Sequence, residues 1–411
     1  MTQKRLLSTG AALLAALCLL LALSGCGGEK PLLDQPIKTL TCVEPTALPT
    51  LVPLGDGRVL AGWVDYENEM THLSVVDVAA DKELAAQTLE GCWELQTEQF
   101  TDGSAVLFNW DGGAWQFIDA SLTVTKTFHA EQYGGVFSHD GGTYYFVQDD
   151  VLCRADVASG QTERVPLSSE LRFMDVAGIF PDSETLFLHC LLSPYSTESG
   201  TVILDTATGE YAMLQKEWYA PYYGQSGPEF LRFNNQDMGY DVLYPAGDQY
   251  YQADAALLHA SEADLFPLSG SPYLLGAADD ATLYRLESGI SACLLSSDQL
   301  GGTFRGAVWL PEEIIVGGVY GNGQFRLAAI DPAQLTFTHI TDAAAVESPL
   351  AVDTSLTEVY WNSLNGQPLP ATLQEAREYA DRLEERYGVT ILLSAQAQEA
   401  CDAVWDATIT T

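Results

Sequence analysis

A short motif recurs through the middle of this 411-residue chain. In each copy a strand-like apolar run ends in an acidic residue, and a polar turn then leads to another strand-like run. Seven copies, about 42 residues apart on average, end at Asp77, Asp119, Asp156, Asp205, Asp254, Glu287 and Asp331. In two of them Gly160 and Gly209 can take a positive φ, while an Asp, Ser or Thr side chain bonds the turn backbone. The motif predicts hairpins repeated at a nearly constant spacing.

A second element precedes the copies by about 15 to 25 residues and pairs Asp with Gly before alternating apolar residues. Examples begin at Gly55, Thr101 and His139. Each repeat therefore contains several short strands joined by tight turns, and the sequence has almost no helix-length amphipathic pattern in this region.

About four strands in about 42 residues are typical of a β-propeller blade. Over residues 46–345 the repeats resemble WD40-like and quinoprotein-like propellers in their strand-Asp-x-x-(Ser/Thr)-Gly-x-strand hairpin. The pairing of Gly-His with Trp-Asp that marks WD40 repeats is missing, so the resemblance is to the architecture and not to a subfamily. The predicted fold is all-β, a propeller of seven blades. A β-sandwich or two smaller β domains is the alternative.

Two strand-like segments flank the repeats, Ile37 to Val43 and Leu356 to Trp361. A closed ring leaves no exposed sheet edge, and propellers often close by pairing the two chain ends within one blade. We therefore predict that one or both segments complete a blade and that the propeller spans residues 37–363.

The N-terminus has the order of an export signal, with a basic start, an apolar run and a small-residue site. Lys4 and Arg5 precede the run from Leu6 to Leu23, which ends in Leu23-Ser24-Gly25-Cys26. This segment resembles the lipobox of bacterial lipoproteins, in which a diacylglyceryl group is attached to the cysteine and the peptide is cut before it. An uncleaved signal anchor is the alternative and leaves the same topology.

The lipobox resemblance implies a signal peptide over residues 1–25, a lipid on Cys26 and a linker over residues 26–36. Two acyl chains, at about 0.8 kcal/mol per buried CH2 group, hold a folded domain stably on a bilayer. The expected location is the extracytoplasmic face of the cell membrane.

The chain is strongly acidic, with 56 Asp and Glu residues against 18 Lys and Arg and a formal net charge of −38. A nucleic acid would be repelled, and no Lys/Arg cluster offers the counterion release on which its binding depends. The acids are spread among strands and turns, which favours a soluble, self-repelling surface. The expected partners are the membrane, through the lipid, and a glycan, peptide or envelope protein, but no nucleic acid.

The signatures of common enzymes are missing from the sequence. The six histidines never stand at metal-ligand spacing, and neither a Gly-x-Ser-x-Gly elbow nor a phosphate-binding glycine loop occurs. Acid pairs such as Asp149-Asp150, Asp279-Asp280 and Glu312-Glu313 could be glycosidase carboxylates, but loop acids are the better explanation in so acidic a chain. We expect no cofactor and no metal. The sequence leaves catalysis open and favours a protein that is not an enzyme.

The segment Ser138-x-Asp140-Gly141-Gly142-Thr143 resembles the Asp-box hairpin of sialidase-like propellers, with its threonine one position early. In that family the box is structural and lies far from the sugar. The resemblance therefore implies a hairpin and carries no activity.

An aromatic segment, Trp218-Tyr219-Ala220-Pro221-Tyr222-Tyr223-Gly224, interrupts the alternation between the fourth and fifth repeats. Its proline and glycine predict a loop, and its rings must either pack against neighbouring blades or bind a ligand. Rigid aromatic surfaces stack on sugar faces and anchor peptides. Trp218, Tyr219, Tyr222 and Tyr223 are the candidate ligand contacts.

The C-terminal part, residues 364–411, changes character to a linker followed by a helix and a strand. Thr372 and Glu375 form a capping box, apolar residues from Leu373 to Tyr387 fall on one helical face, and Val389 to Leu393 alternates like a strand. We predict a short α/β appendage.

Two functions remain open from the sequence. The first is a surface-anchored lipoprotein whose propeller is a binding or scaffold module for an extracellular glycan, peptide or envelope protein. The alternative is an extracellular hydrolase that acts on carbohydrate or peptide.

The lipid anchor can be tested by replacing its cysteine. Because the thiol is the attachment point, Cys26→Ser should release the protein from membranes or leave an uncleaved precursor of higher mass. Membrane fractionation and mass spectrometry measure both, with Cys18→Ser as the matched control. Normal processing and membrane retention of Cys26→Ser would contradict the prediction.

Overall fold

The computed structural model describes the chain in the residue ranges 32–130, 134–165, 173–180, 185–191, 199–209, 211–214, 220–234, 239–246, 249–255, 264–287, 289–346, 374, 377–378, 380–382, 390–393 and 407–410. The predicted signal peptide, Cys26 and the segment Leu356 to Trp361 lie outside the described residues. Within them, none of the helices is long and apolar enough to cross a membrane.

The first strands of the chain build three antiparallel units of four strands each. The chain begins with β1 (Ile37–Leu40), then unit 1 has β2 (Thr50–Gly55), β3 (Arg58–Asp65), β4 (Met70–Asp77) and β5 (Lys82–Glu90). Unit 2 has β6 (Trp93–Leu95), β7 (Ala105–Asn109), β8 (Ala114–Ile118) and β9 (Val124–His129). Unit 3 has β10 (Val136–Phe137), β11 (Thr143–Gln148), β12 (Val151–Asp156) and β13 (Thr162–Arg164).

Three further units continue the pattern. Unit 4 has β14 (Phe173–Ile179), β15 (Thr185–Leu191), β16 (Ser199–Asp205) and β17 (Tyr211–Leu214). Unit 5 has β18 (Ala220–Gly224), β19 (Gly227–Asn234), β20 (Gly239–Ala246) and β21 (Gln249–Ala255). Unit 6 has β22 (Asp264–Pro267), β23 (Tyr273–Ala277), β24 (Ala281–Leu286) and β25 (Gly289–Leu295).

Unit 7 combines the two ends of the repeat region. After the short helix α1 (Ser297–Leu300), it has β26 (Thr303–Leu310), β27 (Ile314–Gly321) and β28 (Gln324–Ile330), and its fourth strand is β1. A 3-10 helix (Pro332–Gln334) and β29 (Thr338–Val346) follow, and β30 (Thr390–Leu393) pairs with β31 (Ala407–Thr410).

The pairing of β1 closes the ring. It runs antiparallel to β28 from Ile37 opposite Ile330 to Leu40 opposite Leu327. This confirms the predicted closure for the N-terminal segment, with a strand that ends at Leu40 and not at Val43. The N-terminal strand thus supplies the hydrogen-bonding partner that the outer edge of β28 needs.

Seven hydrophobic clusters each join two neighbouring units. Going round the ring from unit 1, the last of them joins unit 7 back to unit 1. In that last cluster Leu40 and Leu310 pack with Leu51 and Val59. Middle strands such as β7 are buried on both faces, whereas outer strands such as β5 are largely exposed. Radial units stacked face to face produce this gradient, which identifies the fold as a β-propeller.

The all-β propeller predicted from the repeats is therefore confirmed. The predicted number of seven blades agrees with the seven units among the described residues and stays a prediction for the whole chain. The domain boundaries also stay predictions.

The recurring acids mark the turn between the third and fourth strands of a unit. Asp77, Asp119, Asp156 and Asp205 each accept hydrogen bonds from turn backbone amides, for example from the Ser159 N–H to Asp156 Oδ1 at 2.7 Å. Gly160 and Gly209 have φ of 71° and 73°, as the turn prediction requires.

For the fifth copy of the motif, the predicted position of the acid at a strand end was wrong. Asp254 lies inside β21, the fourth strand of its unit, whereas the third strand β20 ends at Ala246. An acid within an alternating strand has the same local pattern as an acid at a strand end, so the sequence could not separate them.

The turns of each unit fall on two faces of the ring. In an antiparallel meander, the turns after the first and third strands lie at the same end of the unit. The second recurring element, at Asp56, Asp102 and Asp140, forms the turns after first strands. Both acidic motifs therefore lie on one face, which we call the turn face.

Strand β29 joins two units at the outside of the ring. Gly289 to Ala292 of β25 pair with residues 338–342, and Tyr250 to Ala253 of β21 pair with residues 343–346, so that units 5 and 6 form one nine-stranded sheet. At Gly289 a Cβ would collide with the Thr341 carbonyl, so this close approach requires glycine.

The C-terminal part agrees with the predicted helix and strand where it is described. Residues 374, 377–378 and 380–382 are helical, Ala380 is fully buried, and the predicted strand is β30. Glu378 accepts a hydrogen bond from Gln374 on the same helix. The partner strand β31 was not predicted.

The closing strand should contribute measurably to stability. Leu40 is 2% exposed in β1, so Leu40→Ala should lower the free energy of unfolding by about 2–5 kcal/mol through lost burial and a residual cavity. Leu84→Ala is the matched control, because Leu84 also lies in an outermost strand but is 46% exposed. Equal losses in the two variants, measured by denaturant unfolding, would show that β1 does not hold the ring closed.

Candidate functional site

The structure describes only part of the predicted aromatic site. Trp218 and Tyr219 lie outside the described residues, and for Tyr223 only the backbone is described. Ala220 to Gly224 form β18, so the predicted loop was wrong for these residues. Proline is compatible with this strand because β18 is the edge strand of its sheet, where a missing N–H costs no ladder hydrogen bond.

Tyr222 stands at one end of a row of polar side chains across unit 5. It pairs with Glu229 of β19, and Tyr244 of β20 pairs with Tyr251 of β21. Tyr222, Tyr244 and Tyr251 pack in the hydrophobic cluster that joins units 5 and 6. The neighbouring Phe230 and Leu243 pack the other way, toward unit 4, as strand alternation requires.

Glu229, Tyr244 and Tyr251 of this row form one wall of a cleft of about 350 Å³ between units 5 and 6, and Tyr222 lies behind Glu229. Unit 5 contributes Gln225, Ser226, Glu229, Tyr244, Pro245, Ala246 and Tyr251, and unit 6 contributes Pro272, Leu286 and Glu287. Gln225 and Ser226 form the first turn of unit 5, and Glu287 follows the third strand of unit 6. The cleft therefore lies at the turn face.

Glu229 is the most unusual residue of the cleft because its side chain is ionisable and yet the residue is only 3% exposed. Burial raises the pKa of its carboxyl to about 7, and the nearby Tyr222 hydroxyl lowers it by a smaller amount. The carboxyl lies over Gly224, where a Cβ would collide with Oε1. Glycine at this position thus makes the space in which the carboxyl sits.

Three polar atoms around Glu229 are buried without a hydrogen-bond partner among the described residues. They are Glu229 Oε2, the Tyr222 hydroxyl and the Tyr244 hydroxyl. The Tyr222 hydroxyl lies against the Glu229 carboxyl and favours its charged form, but the geometry of this contact is too poor for a full hydrogen bond. A buried polar atom without a partner costs about 1–3 kcal/mol, so these atoms favour a ligand that satisfies them.

Tyr222 and Tyr244, beside Glu229, and Tyr250, on the opposite face of β21, stay neutral at physiological pH. Burial, followed by the charge of Glu229, raises the pKa of Tyr244 and of Tyr250 to about 12, and burial raises that of Tyr222 well above its ordinary value. The rings of Tyr244 and Tyr251 stack with centroids 6.2 Å apart. The cleft can therefore offer hydroxyl donors, a carboxyl and aromatic faces to one ligand.

Glu229, Tyr244 and Tyr251 were not among the predicted site residues. The sequence feature that could have indicated Glu229 is an acid inside an apolar strand, Pro228-Glu229-Phe230-Leu231. Such an acid is either exposed to solvent or buried for a functional reason. Whether Glu229 is exposed or buried depends on which face of unit 5 is covered by unit 6.

The other acids that the sequence singled out belong to turns. Asp149 and Asp150 both have positive φ and form the two-residue turn between β11 and β12. Glu313 has a φ of 64°, and Asp280 accepts a hydrogen bond from the Ser297 N–H at 2.6 Å. These contacts support the interpretation as loop acids.

The Asp-box-like segment is a hairpin turn, as its resemblance implies. Asp140 Oδ1 accepts hydrogen bonds from the Ser138 hydroxyl at 2.6 Å and the Gly142 N–H at 2.8 Å. These bonds lower the pKa of Asp140. The Asp140 carboxylate therefore stabilises the turn.

Metal binding finds no support in the described part of the chain, where no group of three His, Cys, Asp or Glu side chains could hold an ion. The five cysteines that are described, Cys42, Cys92, Cys153, Cys190 and Cys293, are free thiols.

No family model and no curated protein matches the chain. Among solved structures, it is similar to the β-propeller domain of Cps50 (Swd1) from Myceliophteria thermophila, with a TM-score of 0.51 and 12% identity over 72% of this chain and 100% of that domain. It is also similar to hydrazine synthase from Kuenenia stuttgartiensis, with a TM-score of 0.45 and 12% identity over 73% of this chain and 98% of the other. At such low identity the first likeness shows the fold alone, a β-propeller.

The raised pKa of Glu229 predicts a pH-dependent stability. The folded protein holds this proton more tightly than the unfolded chain, so the contribution of Glu229 to stability is fully present below pH 4.5 and is lost as the pH rises through about 7. The whole loss is on the order of 3 kcal/mol, and Glu229→Gln should remove it. Urea unfolding of wild type and variant between pH 4.5 and 8.5 measures the difference.

The matched control for this experiment is Glu287→Gln, which removes an exposed carboxyl from the opposite wall of the same cleft. It should keep the wild-type pH profile. A parallel profile for wild type and Glu229→Gln would mean that the Glu229 carboxyl is solvated.

Proposed function

We propose that this protein is a lipid-anchored binding module of the bacterial cell surface and that it binds a glycan in the cleft between units 5 and 6. The observation that carries the proposal is the group of three buried polar atoms, on Tyr222, Glu229 and Tyr244, at a cleft with stacked tyrosine rings. A propeller fold supports a binding module in general, and the ligand class comes from this cleft.

The chemistry of the cleft matches a sugar better than an apolar ligand. Sugar hydroxyls both donate and accept hydrogen bonds, so they can satisfy a carboxyl oxygen and phenol hydroxyls together. With a pKa of about 7, the Glu229 carboxyl is present in both protonation states near neutral pH. The tyrosine rings offer flat apolar surface of the kind on which a pyranose ring stacks.

The path of the N-terminal segment supports a ligand in the cell envelope. The Asp331 N–H donates to the Pro36 carbonyl at 2.9 Å, and Gln334 Nε2 donates to the Leu33 carbonyl at 3.0 Å. Residues 33–36 therefore enter unit 7 at the turn face, the face that also carries the cleft. A lipid on Cys26 would tether the ring from this side, with the cleft on the membrane-proximal face.

The hydrolase alternative rests on one feature of the same cleft. A buried glutamate with a pKa near 7 is the type of group that acts as a general acid in glycoside hydrolysis. Glu287 lies on the opposite wall, but its partner is Arg285, at 3.3 Å. Binding is therefore the function that the cleft supports better.

The proposal can be tested with a panel of envelope glycans and cell-wall fragments. Tyr251→Ala removes one stacked ring and should weaken glycan binding at least about fivefold, since an aromatic contact contributes about 1 kcal/mol. Tyr320→Ala, which removes a 44% exposed tyrosine from unit 7, is the matched control and should bind like wild type. Isothermal titration calorimetry measures the affinities.

Three outcomes would change the conclusion. Failure of wild type to bind any glycan, or equal losses in both variants, would contradict the proposal. Turnover of a bound glycan would establish the hydrolase instead. Loss of binding in Trp218→Ala would add Trp218 to the site.

A further inference from the structure

A second cavity, of about 430 Å³, lies at the centre of the ring. Its walls come from the innermost strands β2, β22 and β26 and from the segment that follows β6, which belong to units 1, 6, 7 and 2. The residues that matter for its chemistry are Leu48, Thr50, Gln99, Phe266, Arg305 and Trp309. This cavity shares no residue with the cleft between units 5 and 6.

The charge of this cavity is opposite to that of the protein. The chain has a formal net charge of −38, with 56 acidic residues, yet no Asp or Glu lines this cavity. Arg305 is its one charged lining residue, and no ion pair of Arg305 is found within the described ranges. An exposed guanidinium that forms no ion pair keeps its five donors for an external acceptor.

The backbone holds Arg305 in place by a β-bulge. In β26 the register against β27 shifts between Phe304 and Ala307, so that Arg305 and Gly306 lie opposite the single residue Gly318 and β26 has one extra residue. Gly306 has a φ of 81°, a conformation that favours glycine. Phe304 is fully buried beside Gly317, where a Cβ would collide with its ring. Bulges commonly re-aim a side chain in this way.

Apolar groups surround the guanidinium. Leu48 and Phe266 are 48% and 36% exposed, which is unusual for large apolar side chains, and both line the cavity. Trp309 is held against Tyr273 with ring centroids 5.4 Å apart. The cavity thus combines one cation with apolar and aromatic walls, and Thr50 and Gln99 add neutral polar groups.

We propose that the central cavity binds a small organic monoanion, a carboxylate attached to an apolar or aromatic body. The Arg305 guanidinium holds the carboxylate through paired N–H···O bonds, which is the geometry that arginine favours. Phe266, Leu48 and Trp309 cover the body of the ligand. The charge of the whole chain disfavours anions that carry several charges, because a single cation cannot offset their repulsion.

The test compares 3-phenylpropionate with its neutral amide, 3-phenylpropionamide, which has the same shape. Wild type should bind the carboxylate with a dissociation constant of about a millimolar, as expected for so small a ligand, and the amide at least tenfold more weakly. Arg305→Gln should reduce carboxylate affinity to that of the amide. Ligand-observed NMR titration measures both affinities, and thermal unfolding checks that the variant is folded.

Two control variants test whether a loss of 3-phenylpropionate binding is specific to the central cavity. Arg326→Gln removes an arginine from β28 of the same unit but outside the cavity, and it should bind 3-phenylpropionate like wild type. Tyr251→Ala should also bind like wild type, so failure of the glycan proposal would leave this result unaffected. The inference is overturned if wild type binds neither probe at 10 mM, if acid and amide bind equally, or if Arg305→Gln binds like wild type.

Discussion

The pairing of β1 with β28 is the interaction on which the rest of the structure depends. A propeller has no single core; it has layers between neighbouring units, and each layer is complete only if the ring is closed. Here Leu40 of β1 joins Leu51 and Val59 of unit 1 in the layer that closes the circle. Strand β29 adds a second connection at the outer edge, between units 5 and 6.

The layered construction also explains how a buried glutamate arises. Each strand face is covered by the next unit, so a polar residue on such a face loses water unless a cleft remains. Glu229 stands opposite Tyr222 within unit 5, and unit 6 approaches from the side that carries both. The cleft at the turn face leaves room beside them, so the cost of burying the carboxyl can be offset by a bound partner.

The turn face and the lining of the central cavity have opposite electrostatic character in this ring. The recurring motifs place acids at the turn face because Asp satisfies turn backbone amides, as Asp156 and Asp205 do. The inner strands have no such requirement, and the central cavity is free of acids around Arg305. A highly acidic chain therefore contains a local site for an anion, separated from its many carboxylates by the architecture.

The repeats alone determined the all-β propeller and the turn chemistry, and the flanking segments predicted closure by one or both chain ends, because period, turn residues and alternation are local properties of the chain. Only the structure shows that the N-terminal strand closes the ring. Local pattern was insufficient for Asp254, which lies within a strand, and for Ala220 to Gly224, which form an edge strand and not a loop. The candidate site was predicted only at Tyr222. Glu229, Tyr244 and Arg305 became site residues only through tertiary structure, because burial by unit 6, strand register and a β-bulge decide which side chains share a cavity.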